Sequence, residues 1–489
     1  GTSVNIPDAY EADDFDFTGT KKFDEGMGYR SKSFLTVPLK DSQDEIIGVL
    51  QLLNAVEDET EEVIAFSKEI QPLIEALASQ AAVALDNQQL LEAQKKLLDS
   101  FIELIASAID AKSPYTGGHC QRVPELTKML ARAACATDDG PFAEFDLDDD
   151  QMHELHIGAW LHDCGKVTTP EYVVGKATKL ETIYDRIHEV RTRFEVVKRD
   201  SVIDYLKAVI DDGDPEALKG ELEERLAKLD DDYSFIAECN MGGEFMAPEL
   251  VERLTEIGRI QWTRTLSNRI GLSFEEKKRM DRTPEPALPI VENLLSDRDD
   301  HVIYREIPEP AASNDNPYGF QLDVPEHKYN LGEVYNLAIG RGTLTEEERF
   351  KINDHIVQTI IMLEQLPFPK HLAKVPEYAG GHHEKMDGTG YPKKLNQDDM
   401  SLPARIMAIA DIFEALTAAE RPHKPAKPLS ACVKIMSFMK KDAHIDSDLF
   451  ELFLTSGIYK EYAERFLDPA QIDEVDISEY VSTGSDGDD

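Results

Sequence analysis

Apolar and polar positions follow different rhythms in successive stretches of the chain. Two apolar runs, Phe34-Leu35-Thr36-Val37-Pro38-Leu39 and Ile46-Ile47-Gly48-Val49-Leu50-Gln51-Leu52-Leu53, flank the polar Asp41-Ser42-Gln43-Asp44. Short apolar runs around turn-forming residues predict a β-hairpin. Over residues 69–111 the period lengthens, and Ile70, Leu77, Ala84, Leu91, Leu98 and Ile105 recur every seven positions. That predicts one long helix, with Pro72 tolerated in its first turn. The companion column (Ile74, Ala81, Gln88, Lys95, Ile102, Ile109) is apolar at its ends and polar in the middle. Such a seam suits a parallel two-helix coiled coil and a homodimer built through it; one long helix packed on its own domain is the alternative. Beyond Lys112 the pattern is helical, interrupted by acidic residues 138–150 and a Pro/Asn-rich stretch at 308–317, and residues 481–489 form a polar tail expected to fray. The pattern predicts a mainly α fold joined to a small α/β portion.

A length of 489 residues calls for two or three domains. Lys and Arg number 52 against 95 Asp and Glu, a net charge of −43. A chain so acidic repels a polyanionic backbone, which argues against a nucleic acid polymer as partner. A small anion can bind only where metals, Lys or Arg reverse the local field. Otherwise the excess speaks for solubility or a salty habitat. The five Cys are scattered and form no CxxC pair, which fits a reducing cytoplasm better than a disulfide framework. No apolar run approaches the roughly 18 residues that cross a bilayer.

The candidate chemistry lies in two strings. Leu161-His162-Asp163-Cys164-Gly165-Lys166 pairs adjacent metal-ligand types, with Lys166 four residues after His162 and so able to share its helical face. Alone, a His-Asp pair is weak evidence. Gly380-Gly381-His382-His383-Glu384-Lys385-Met386-Asp387-Gly388-Thr389-Gly390-Tyr391-Pro392 is a much rarer string. Together with Thr116-Gly117-Gly118-His119-Cys120-Gln121-Arg122-Val123 and the segment from Arg405 through Asp411 to Thr417, these resemble the HD-GYP family of the HD superfamily, metal-dependent phosphodiesterases of cyclic dinucleotides.

The resemblance implies the metal ligands His119, His162, Asp163, His382, His383 and Asp411, with one more His between the two strings. Lys179-Leu180 leads to His188, but at the family interval stands Arg191; Thr343-Leu344-Thr345 leads to His355 at the right interval, so His355 is assigned and His188 is left as a surface or core residue. Some members hold a third metal through a Glu four residues before the first His, where this chain has Tyr115. Two divalent ions are therefore expected, iron foremost and manganese next; imidazole and carboxylate ligands also suit zinc. Two such ions can hold a hydroxide between them and clamp phosphate oxygens. Asp163 and Lys166 are the expected catalytic pair, Lys166 neutralising developing charge. Lys166, Tyr391, Arg421 and Lys424 are the expected substrate contacts, although Arg421 and Lys424 can equally be a solvated basic turn. His423 stands where the family usually has Tyr. Asp387, Gly388, Gly390 and Pro392 are expected to shape the loop. Glu384 is either a partner of a ligand His or a helix cap.

Residues 5–10, 28–33, the hairpin and 77–87 resemble the second half of a GAF sensory domain, whose remainder is expected to be missing. The resulting division is a partial GAF-like module at 1–68, a linker helix at 69–111, an HD-GYP domain at 112–174 and 341–445, an inserted helical subdomain at 175–340, and a C-terminal helix with tail at 446–489. The implied activity is hydrolysis of cyclic di-GMP to linear pGpG and onward to GMP, governed by the first module. A non-catalytic cyclic-dinucleotide receptor and an HD phosphohydrolase of another nucleotide are the alternatives.

Overall fold

The computed structural model describes residues 1–112, 118–243, 245–312, 316–418 and 426–481. These divide into two units, Gly1–Phe101 and Ile102–Asp489. In the first, strands β1 (Val4–Ile6), β2 (Phe34–Lys40) and β3 (Ile46–Leu53) make an antiparallel sheet in that order. The predicted hairpin is β2–β3, with Phe34 opposite Leu53 and Leu35 opposite Leu52. Asp41 Oδ1 holds its turn by accepting from the N–H groups of Gln43 and Glu45 at 2.9 and 2.8 Å. Helix α1 (Thr18–Met27) lies between β1 and β2, and α2 (Gln71–Lys112) follows the sheet. The alternation of β2 turns Leu35, Val37 and Leu39 towards Ala78 and Ala82 of α2.

Of the heptad column, Leu77, Leu91 and Ile105 are 51%, 66% and 48% exposed. The apolar C-terminal end of the companion column is not an exposed seam. Ile102 is buried and, with Ile109, packs on Ile157, Leu161 and Cys164. On these last turns Ile102 and Ile109 find apolar partners within the chain, while Ile105 stays exposed.

The second unit is a helical bundle. Helices α3 (His119–Cys135), α4 (Asp149–Leu161) and α5 (Glu171–Val174) open it, and α11 (Glu346–Glu364), α12 (Val375–Gly381), α13 (Leu402–Thr417), α14 (Leu429–Lys441), α15 (Ser447–Thr455) and α16 (Ile458–Phe466) complete it; α6 (Ile187–Ile210), α7 (Pro215–Met241), α8 (Pro248–Gly258), α9 (Phe274–Met280) and α10 (Glu333–Leu337) come between. Leu126, Leu155, Phe413, Phe450, Phe453 and Tyr462 anchor its core. Residues 446–489, read as one helix and a tail, thus supply two helices whose aromatics fill that core. Reciprocal capping boxes start α4 (Asp148 with Gln151) and α11 (Thr345 with Glu348).

Residues 175–340 have a core of their own, with Phe194, Val197, Phe235, Ile236, Leu254 and Leu294. They are not wholly helical as expected: Gln261–Arg264 pairs with Ile290–Asn293, and Val302–Ile303 with Tyr329–Asn330. The region leaves and rejoins the bundle at one neck. There the buried Lys179 ammonium donates to the carbonyls of Leu337 and Ile339 at 2.8 and 2.7 Å. Thr343 Oγ1 donates to the Lys176 carbonyl at 3.1 Å, and Lys176 Nζ reaches both oxygens of Glu348 at 2.8 Å.

Residues 316–324 touch the bundle again. Phe320 is buried against Ile356, Val357 and Ile360 of α11, in a cluster that includes Tyr391. Gln321 donates from its backbone N–H to the Pro392 carbonyl at 2.7 Å and from Nε2 to the Lys393 carbonyl at 2.8 Å.

Candidate metal centre

Helix ends place the predicted ligands. His119 opens α3, His162 and Asp163 directly follow α4, His382 and His383 follow α12, and His355 and Asp411 sit within α11 and α13. His119, His162 and Asp163 bring their ligand atoms within 4.8 Å of one another, as do His355, His382 and His383. Asp163 lies between the two groups: Oδ2 is 3.2 Å from Nε2 of both His119 and His162, and Oδ1 is 3.2 Å from His355 Nε2. Asp411 Oδ1 is 3.3 Å from His119 Nε2 and 3.6 Å from His162 Nε2. All seven side chains therefore converge.

The rings are aimed from behind. Nδ1 of His162 meets the Ala159 carbonyl at 2.7 Å and that of His382 the Ala379 carbonyl at 2.6 Å; His355 makes the same bond to Ile352. A donor bond at Nδ1 leaves the Nε2 lone pair turned inward, the arrangement that ligating histidines need. His119 Nδ1 is held by the Glu414 carboxylate, which Arg122 grips from Nε and a terminal nitrogen at 2.8 and 2.6 Å. Asp110 Oδ2 accepts from the Cys120 N–H at 3.2 Å and so fixes the start of α3.

Lys166 does not share a helical face with His162, as the spacing suggested. Helix α4 stops at Leu161, and Lys166 lies on the 3₁₀ turn Cys164–Thr168. The stop follows from how closely α11 crosses: a Cβ on Gly165 would stand 1.9 Å from the His355 carbonyl oxygen. Thr359 Oγ1 accepts from the Gly165 N–H at 2.9 Å and lies 3.2 Å from the His162 carbonyl, satisfying the helix end. From its turn Lys166 Nζ reaches Asp163 Oδ2 at 2.5 Å.

The donor set fits divalent cations. Asp163 Oδ1, His355 Nε2 and His382 Nε2 are buried without a hydrogen-bond partner, and a buried unsatisfied polar atom costs about 1–3 kcal/mol. Three such atoms on side chains that converge have the chemistry of ligands awaiting a cation.

Titration is split across the site. Burial and the neighbouring imidazoles push His382 down to about 3 and His383 well below the ordinary range, so both are neutral. Burial opposes charge on His119 and His162 as well. Asp163, Asp411 and, for His119, Glu414 overcome it, raising His162 to about 9 and His119 well above its usual value. Asp163 and Asp411 are held well below the carboxylate range, against burial, by Lys166 and the imidazoles. Lys166 is raised, the pull of Asp163 and Asp411 exceeding the cost of burial.

The Tyr391 ring stacks on His383, centroids 4.9 Å apart. Around it, Asp387 Oδ1 accepts from the Thr389 N–H and hydroxyl at 2.9 and 2.7 Å, and Gly388 takes φ +74°. A Cβ on Gly390 would stand 2.4 Å from the Lys385 nitrogen, and Tyr391-Pro392 is cis. Glu384 neither orients a ligand His nor caps a helix: its carboxylate accepts from the N–H groups of Lys393 and Leu395 at 2.6 and 2.9 Å. His188 is exposed on α6. Tyr115, Arg421, His423 and Lys424 lie outside the described residues. Sequence reading assigned no role to Glu414, Arg122, Thr359 or Gln321. Only Glu414 carried a signal, standing three positions after Asp411 on one helix face.

The HD domain family matches residues 289–449, which include His355, His382, His383 and Asp411, and the GAF domain family matches residues 1–85. The 3'3'-cGAMP-specific phosphodiesterase 2 of Vibrio cholerae is 41% identical over 200 residues, 38% of this chain and 38% of its own length. The 3'3'-cGAMP-specific phosphodiesterase 3 of the same organism is 42% identical over 111 residues, 22% and 23% of the two chains. A cyclic di-GMP phosphodiesterase of Thermotoga maritima is 36% identical over 110 residues, 22% of this chain and 29% of that one. The chain thus spans well under half the length of these curated relatives. It carries a stretch that matches the GAF domain and a later one that matches the HD domain.

Proposed function

We propose that the chain is a metal-dependent phosphodiesterase that opens a cyclic dinucleotide, cyclic di-GMP in the first instance, to linear pGpG and onward to GMP. The carrying observation is the placing of Asp163 between two histidine groups, with its own Oδ1 and the Nε2 atoms of His355 and His382 buried without a hydrogen-bond partner. His119, His162, Asp163 and Asp411 would hold one divalent ion and His355, His382 and His383 the other, with Asp163 shared; iron is the preferred metal and manganese the next. Divalent ions bound there supply Lewis acidity for a phosphodiester and lower the pKa of a water.

The chain's own groups then position and neutralise. Lys166, kept cationic beside Asp163, stands ready for charge that develops on the phosphate. Tyr391, stacked on His383, offers an aromatic wall for a base, and Glu384 pins the backbone that carries it. Arg421 and Lys424 are proposed to meet the second phosphate. The exposed heptad column supports a homodimer through α2, and the GAF domain is proposed to govern turnover. No helix among the described residues is long and apolar enough to cross a membrane; five free cysteines fit a cytoplasmic setting.

The test is turnover of cyclic di-GMP, 3'3'-cGAMP and linear pGpG by iron- and manganese-loaded protein. Cleavage of a cyclic dinucleotide that Lys166→Ala slows supports the reading. Tight binding without cleavage, unchanged by Lys166→Ala, would establish a receptor instead.

A further inference from the structure

Within the inserted region a cleft of about 760 Å³ opens between α9, residues 303–310, Lys328 and Gln358 of α11. Its volume falls in the range of small-molecule sites, and no metal ligand lines it. Five Lys or Arg face three Glu there, the reverse of the chain as a whole. Two of the glutamates are already neutralised: Glu306 pairs with Lys278 at 2.9 Å and Glu309 with Arg305 at 2.6 Å. Arg305 also donates to the Pro325 and His327 carbonyls at 3.1 and 3.0 Å. Arg282 donates to the Val302 carbonyl at 2.8 Å, stands 4.0 Å from Asp299 and lies over the Tyr304 ring at 4.3 Å. These two arginines build walls.

The remaining cations are Lys328, which is exposed, and Arg279, whose buried Nε has no hydrogen-bond partner. The Arg279 guanidinium lines the cleft without an ion-pair partner among the described residues, and a phosphate is the anion its planar fork matches best. Beside them Ile307 is 80% exposed and Tyr304, with Arg282 over one face of its ring, is 43% exposed, leaving apolar surface for a flat ring.

We propose that this cleft binds a phosphorylated nucleotide, its phosphates on Arg279 and Lys328 and its base against Tyr304 and Ile307. The proposal does not depend on the hydrolytic reading above. Calorimetric titration of the full metal-loaded chain with GTP and with inorganic pyrophosphate tests it. GTP is expected to bind saturably and more tightly than pyrophosphate, and Arg279→Gln and Lys328→Glu are each expected to weaken it at least about tenfold while metal content and cyclic-dinucleotide turnover stay unchanged. Lys328→Glu alters an exposed side chain and so keeps the test sound if Arg279→Gln fails to fold. Absence of GTP binding at about 1 mM, or GTP affinity untouched by Lys328→Glu, would overturn the site; pyrophosphate binding as tightly as GTP would overturn the nucleotide.

Discussion

His162, His355 and His382 are each aimed by the backbone carbonyl three residues earlier, whereas His119 depends on a side chain, Glu414. Replacing Glu414 leaves that ring free to turn and removes the partner of Arg122. Glu414→Gln is therefore expected to weaken metal affinity about 10- to 100-fold, read by competitive chelator titration. His355→Ala should lose at least as much and also a metal equivalent, while His188→Ala changes neither; metal analysis of the two variants checks the choice between them. The titration pattern has its own consequence. His382 and His383, depressed in the folded state, add stability that is lost as pH falls below about 6.5. His119 and His162, raised, add stability that is lost as pH climbs from there towards about 9. Metal-free protein is thus expected to melt highest near pH 6.5, and metal loading should release protons and flatten the alkaline limb. Thermal melts across pH, with and without manganese, measure both. The set of side chains that converge was legible because rare residue types stand at family intervals. The role of Thr359 was not, since it arises from a crossing of α11 over Gly165 that no local pattern records.

Among the elements, the hairpin and the long helix were legible from periods alone, because one face of each is buried and the other is not. Residues 261–264 and 290–293 were missed: their pairing spans a distant stretch of chain, and each strand is too short to show alternation. The two helices after Asp446 were read as one because Gly457, the residue preceding the second, carries the left-handed φ of +77° in an otherwise helical pattern. The loop bearing Tyr391 owes its position to two sources, Glu384 from within and Gln321 from the insertion. Gln321→Ala deletes one hydrogen bond, about 0.5–1.5 kcal/mol. We expect it to raise KM for the cyclic dinucleotide about two- to tenfold with kcat and bound metal unchanged, as steady-state kinetics and metal analysis would show.

For the molecule as a whole, the charge of −43 keeps copies apart unless an apolar seam draws them together. Leu77, Leu91 and Leu98 present such a seam, Leu98 at 36% exposure. Leu91→Glu is expected to convert a dimer to a monomer, with the melting of the bundle unaltered, in sedimentation velocity and calorimetry. That the bundle tolerates so large an interruption between His162 and His355 follows from the neck at Lys176 and Lys179, where departing and returning strands of chain are tied side by side. Residues 316–324 also brace the loop at Tyr391, so cutting out 175–340 would leave the converging side chains standing but one of the loop's walls unbuttressed.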